Sequence, residues 1–124
     1  MIVVDTSGWL EYFTDGRNAA KFEDVILKNA DKIIVPAVII YEVFKKILIE
    51  KGENTAIQVI GQLKRYRSVD IDENMALMAA KFSKKYKLAM ADSLIYAAAV
   101  KHRAELYTMD ADFKELKGVV YIKK

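Results

Sequence analysis

A chain of 124 residues with 53% hydrophobic side chains has the length and apolar content to close one core, and a single domain over residues 1–124 is expected. The absence of cysteine excludes a disulfide framework and a thiolate metal site, and fits a reducing cytoplasm. Twenty Lys and Arg face seventeen Asp and Glu, so gathering several acids in one pocket would leave a basic surface that attracts polyanions.

Ile2 to Val4 is a short β-branched run that reads as a buried strand and passes straight into Asp5 with no turn signal. Asp5 stops that run long before the apolar core of a secretory signal could form, so none is expected. KIIVP at 32–36 reads as a second strand. The stretch PAVIIYEVFKKILIEKG follows as a helix, with Pro36 suited to its first turn and Gly52 to its stop. Ile57, Ile60 and Leu63 mark an amphipathic helix ended by the basic KRYR, and Ser68–Ile71 is a weaker strand. Met75, Met78, Ala79, Phe82 and Tyr86 share one helix face, and ADSLIYAAAVKHRA is apolar nearly all round, as a buried helix is. Leu106–Met109 and VVYI at 119–122 complete the strands. The longest apolar run, 33–41, carries the only proline and is far short of the roughly 18 residues a bilayer span requires.

Continuous apolar strands alternating with helices point to an α/β fold: three layers, α/β/α, around a mainly parallel sheet of about five strands. No repeat, low-complexity stretch or Pro/Gly/Ser linker divides the chain.

Ligands of open α/β sheets bind beyond the carboxyl ends of the strands, where strand order reverses. Asp5 follows the first strand, Asp110 follows Leu106–Met109, and Asp112 lies two residues on. Asp92 opens the AAAV helix and Glu42 lies in the second turn of the helix after KIIVP. Each has a structural explanation. Asp92, Asp110 and Asp112 have the positions of helix caps, and Glu42 has Lys45 and Lys46 at i+3 and i+4 for surface ion pairs. Asp5 is harder to explain so, because a carboxylate at the end of a central strand is costly unless paired or bound to a cation. Together the acids converge on one edge, where repulsion favours protonation or a cation. Oxygen donors alone suit Mg²⁺ or Mn²⁺ better than zinc, as one ion or as a pair that serves displacement at phosphorus.

Other chemistries lack their residues. There is no GxxxxGK(S/T) and no GxGxxG. Ser7 and Ser93 have no histidine partner, since the sole histidine, His102, reads as a surface residue between Lys101 and Arg103. Ser7 also stands where aspartyl-phosphate hydrolases carry a second aspartate.

Asp5-Thr6-Ser7 after the first strand, Glu42, AlaAspSerLeuIleTyrAlaAlaAla at 91–99 and LeuTyrThrMetAspAlaAspPhe at 106–113, in this order, resemble a PIN domain. The short form is similar to the VapC toxins of bacterial and archaeal toxin–antitoxin pairs. The resemblance implies a five-stranded parallel sheet and a metal-dependent endoribonuclease whose acids are Asp5, Glu42, Asp92 and Asp110, with Asp112 as a more variable fifth. It implies hydroxyls of Thr6 and Thr108 bonded within the acid network, a cognate antitoxin protein and a homodimer.

Asp5, Asp92 and Asp110 are then expected to hold the metal, with Glu42 and Asp112 completing the shell. Lys45, Lys46, Arg65 and Arg67 are candidates to hold the RNA backbone or plain solubilising charges. Tyr12, Phe13 and Tyr66 are candidates to stack bases or to pack the core. Two rivals remain open: an RNA-processing nuclease that is not a toxin, and a non-catalytic, metal-stabilised module binding RNA or protein.

Overall fold

The computed structural model describes all residues, 1–124. Five strands are present, β1 (Ile2–Val4), β2 (Ile34–Pro36), β3 (Arg67–Val69), β4 (Glu105–Thr108) and β5 (Val119–Tyr121), and every pairing is parallel. One half of the sheet runs β1-β4-β5 and the other β2-β3. They are joined by the bridge Ile2–Ile33 and by the Ile2 N–H donating to the Lys32 carbonyl at 2.9 Å. The order across the molecule is thus β3-β2-β1-β4-β5. The chain moves outward from β1 through β3 and then crosses to β4 on the other side, so the switch in strand order falls between β1 and β4.

All side chains of β1 and β2 are buried, although successive residues of a strand point to opposite faces. Both faces of the sheet are therefore covered, as parallel sheets require, and the expected α/β/α layering holds. The covering helices are α1 (Thr6–Phe13), α2 (Ala19–Lys28), α3 (Ala37–Lys51), α4 (Glu53–Leu63), α5 (Glu73–Tyr86) and α6 (Met90–Lys101). A 3₁₀ turn spans Ala111–Phe113. No helix is long and apolar enough to cross a membrane. One cluster of 27 buried residues runs through the sheet and helices, with Trp9, Phe22 and Phe113 as its largest fully buried members.

Several expectations are corrected. Two helices lie outside the expected elements: α1 follows Asp5 without a turn and buries only Gly8 and Trp9, whereas α2 buries Ala19, Phe22 and Ile26 at a helical spacing that is present in the sequence. In α4 the expected Leu63 is buried and Ile60 packs against the core, but Ile57 is 55% exposed and the buried face runs instead through Ala56 and Val59. Pro36 ends β2 and caps α3 in an extended conformation instead of entering its first turn. Gly52 does stop α3, at a φ of 87° that favours glycine.

Candidate active site

Register places the first two site residues together. Val4 pairs with Tyr107, and the Asp5 N–H continues the ladder to the Tyr107 carbonyl at 2.9 Å, so Asp5 leaves β1 beside Thr108. Asp5 is 3% exposed. Its Oδ2 accepts from the Thr108 hydroxyl at 2.8 Å and from the Ser7 hydroxyl at 2.9 Å. Both hydroxyls are held from behind: the Asp110 N–H donates to Thr108 Oγ1 at 2.9 Å and the Met109 N–H to Ser7 Oγ at 3.1 Å. The Thr6 backbone N–H also faces the carboxyl. Burial pushes the Asp5 carboxyl above its usual range, against the lowering effect of those hydroxyls.

Glu42 arrives from α3. Its Oε1 accepts from the Thr6 hydroxyl at 2.6 Å. Surface ion pairing does not account for it, because Lys46 pairs instead with Glu50 at 3.0 Å and Lys45 lies over the Tyr41 ring, 5.7 Å from its centroid. Thr6 thus serves Glu42, while Ser7 and Thr108 serve Asp5. Thr6 and Ser7 directly after Asp5 read as residues that position it; Ser7 does so, whereas Thr6 turns to Glu42.

Asp92 does not cap α6. Ala89 occupies that position and makes no side-chain cap, and the Ser93 hydroxyl is spent on the Met90 carbonyl at 2.7 Å. The half-buried Asp92 carboxyl is instead pushed up to about 7, first by burial and then by Asp110, Asp5, Glu42 and Asp112. A carboxylate in the first turn of a helix is ordinarily favoured by the helix dipole, so the four acids and burial outweigh that field. Asp110 does cap the 3₁₀ turn, accepting from the Asp112 N–H at 2.9 Å. It also belongs to the site: one carboxylate oxygen each from Asp92, Asp110 and Asp112 lie within 4.8 Å of one another. Three clustered oxygen donors beside a carboxyl raised by its own neighbours fit a hard divalent cation, which would relieve that repulsion.

The remaining candidates divide. Lys45 and Lys46 line a hollow with Glu42 and so stand beside that one acid of the five. Arg67 begins β3, at the amino ends of the strands, and acts on His102 at the end of α6; Arg65 lies in the turn just before it. Neither is brought to the acids. His102 is not a simple surface residue: its Nε2 is buried without a partner, and burial, with Arg67 and Lys101, lowers its pKa. Tyr12, Phe13 and Tyr66 are half-buried around Trp9, with ring centroids 6.3, 5.8 and 5.3 Å from it, which is core packing.

A family profile for the PIN domain matches residues 2–119. The chain belongs to the PIN domain family. Ribonuclease VapC11 of Mycobacterium tuberculosis is 28% identical, the match covering 91% of this chain and 89% of VapC11. Among solved structures, a toxin–antitoxin complex from Klebsiella pneumoniae has a chain similar at a TM-score of 0.85 and 22% identity, covering 100% of both chains. VapC20, a sarcin–ricin-loop-cleaving toxin of Mycobacterium tuberculosis, also reaches 0.85, at 14% identity over 100% of both chains. At such identities the structural likeness speaks for the PIN fold, and the PIN acids of this chain are read from its own geometry.

Proposed function

We propose that this PIN protein is a Mg²⁺- or Mn²⁺-dependent endoribonuclease and the toxin of a toxin–antitoxin pair. The observation that carries the reading is the convergence of Asp5, Glu42, Asp92, Asp110 and Asp112 at the strand switch, where burial and then the neighbouring acids raise Asp92 to about 7. The likeness to proteins named VapC ribonucleases supports it. Asp5, Asp92 and Asp110 would hold one or two ions, with Asp112 and Glu42 completing the shell. Such an ion, when bound, supplies Lewis acidity toward a water molecule and toward the phosphodiester.

The chain's own residues prepare that chemistry. Ser7 and Thr108 fix Asp5 in one orientation, and Thr6 does the same for Glu42 across two helices. The half-buried setting of Asp92 limits bulk water, which strengthens every charge interaction inside the site. Lys45 and Lys46 flank Glu42 and would meet the RNA backbone. An antitoxin protein partner, a homodimer, a cytoplasmic setting and one PIN domain over residues 1–124 belong to the same proposal.

The test incubates purified protein with a panel of structured RNAs in Mn²⁺, in Mg²⁺ and in EDTA, alongside Asp5→Asn. Defined cuts in either metal, lost in EDTA and in Asp5→Asn, are expected. Cuts that persist in EDTA or in the substituted protein overturn the metal mechanism.

A further inference from the structure

Three hollows at the carboxyl edge of the sheet share their walls. One of about 210 Å³ holds Glu42, Lys45 and Lys46. The next, of about 350 Å³, shares Lys46 and adds Ser7, Glu11, Met109 and Lys124. The third, of about 260 Å³, shares Glu11, Met109 and Lys124 and adds Arg17 and Asn18. Together they form a groove that starts at the acids, with Ser7 bonded to Asp5 and Glu42 bonded to Thr6, and leads away past Lys124 to Arg17.

The charges along this groove are not equivalent. The protein's ion pairs are Lys28–Asp24, Lys46–Glu50 and Lys101–Asp72. Lys46 is therefore partly neutralised, while exposed Arg17, Lys45 and Lys124 have no carboxylate partner. Three acids line the hollows as well: Glu50 pairs with Lys46, Glu42 accepts from Thr6, and Glu11 accepts from the Asn18 N–H at 2.9 Å. Arg17, Lys45 and Lys124 are thus the lining cations that no carboxylate holds, and they are spaced along the groove toward the proposed cleavage site.

One buried polar residue plays no part in the acid network, and it explains how the far side of this groove is held. Asn18 is 5% exposed. Its amide nitrogen donates to the Lys123 carbonyl at 3.2 Å and to Met109 Sδ at 3.4 Å, bonds that span 105 and 91 residues of sequence. The Ile122 N–H adds a bond to the Thr108 carbonyl at 2.8 Å, beyond the end of β5. The segment Ile122–Lys124 is thus tied to the residues that carry the acid site.

We propose that Arg17, Lys45 and Lys124 form a track for the RNA backbone leading into the acid site, and that Asn18 is the positioning residue that locks the Ile122–Lys124 segment into it. The proposal rests on the ribonuclease reading and names the path its substrate takes. Phosphates remote from the cut would bind the track equally in ground and transition states, so its loss raises KM and leaves kcat.

The test measures binding of a fluorescent single-stranded oligoribonucleotide by anisotropy, in Mg²⁺, with Asp5→Asn as the cleavage-blocked parent. Adding Arg17→Glu and Lys124→Glu, both at exposed positions, is expected to weaken binding about 10-fold and to lower the salt slope by about 0.7 for each phosphate no longer neutralised. Lys32→Glu, at the opposite edge of the sheet, leaves both unchanged. In the active protein, Arg17→Glu with Lys124→Glu raises KM at constant kcat. Asn18→Ala lowers the salt slope in the same direction. If the unsubstituted protein neither binds nor cuts RNA, the ribonuclease reading itself falls. If it does both and the double charge reversal matches the parent in affinity and slope, the track alone falls; an Asn18→Ala slope equal to the parent's removes the lock.

Discussion

The hydroxyl of Thr6 donates to Glu42 Oε1 across 2.6 Å and joins two helices through residues 36 apart in sequence. Because Glu42 has no cationic partner, this bond is what aims its carboxylate at the other acids. A hydrogen bond to a charged group contributes about 1.5–3 kcal/mol, so Thr6→Val should lower the cleavage rate about 10- to 100-fold while Thr6→Ser retains most of it. Single-turnover rates in Mn²⁺ for the three proteins check this; equal rates for Val and Thr would remove Thr6 from the site.

Asp5 predicts an opposition between activity and stability. The carboxylate is buried and its charged form is disfavoured, yet both hydroxyls that reach it also suit a neutral amide oxygen. Asp5→Asn should therefore melt at or above the temperature of the metal-free wild type, while cleavage falls by about 10²–10³-fold or more. Thermal denaturation in EDTA beside the cleavage assay separates the two effects. A large fall in melting temperature would show that Asp5 serves the fold instead.

Asp92 makes the metal-free protein sensitive to pH. Its folded pKa, about 7, lies above the 3.8 of an unfolded aspartate, so between those values the folded state keeps a proton that the unfolded state has released. Stability from this group is therefore fully present below 3.8, falls as pH rises above it and is lost by about 7. With half the group open to water, the effect is discounted to about 1 kcal/mol, or about 4 °C. His102 opposes it, since burial lowers its pKa and protonation below 6.5 favours the unfolded chain. Comparing wild type with Asp92→Asn cancels His102: the difference in melting temperature should move by about 4 °C in favour of wild type from pH 8 to pH 5 in EDTA. Mn²⁺ should restore much of the deficit at pH 8. Parallel pH profiles for the two proteins would refute this account.

Gly8 lets α1 lie against the strand it follows. A Cβ there would stand 2.5 Å from the Phe22 ring and 2.8 Å from Val4, both buried side chains. Overpacking of about 1–3 kcal/mol should outweigh the gain of about 1 kcal/mol that alanine brings to a helix. Gly8→Ala is expected to lower the melting temperature and, by shifting Thr6 and Ser7, the cleavage rate. A more stable Gly8→Ala would mean that Phe22 yields freely.

β1 and β2 were legible because parallel strands buried on both faces are written as unbroken β-branched runs, and Ile2–Val4 and Ile33–Val35 have no polar interruption, whereas β3, expected at Ser68–Ile71, lies at Arg67–Val69 with two exposed residues. The acids were legible because the switch-point rule places ligands at strand carboxyl ends, which fall directly after Val4 and Thr108. What escaped depended on partners distant in sequence. The packing of α1 rests on Trp9 among Tyr12, Phe13 and Tyr66, and that of α4 on small Ala56 instead of exposed Ile57. The division of labour by which Thr6 serves Glu42 and Ser7 serves Asp5 depends on how α1 crosses α3, which a local pattern does not encode.

The single bridge between Ile2 and Ile33 joins the two halves of the sheet. Asp5, Thr108 and Asp110 ride on one half, while Glu42 follows from β2 in the other, so the proposed catalytic constellation is assembled across a seam. Backbone pairing is thinnest beneath the place where geometry must be tightest, and the apolar cluster that crosses it supplies the missing stiffness. A fluctuation that parts the halves by a fraction of an ångström therefore disarms the enzyme long before it unfolds the chain.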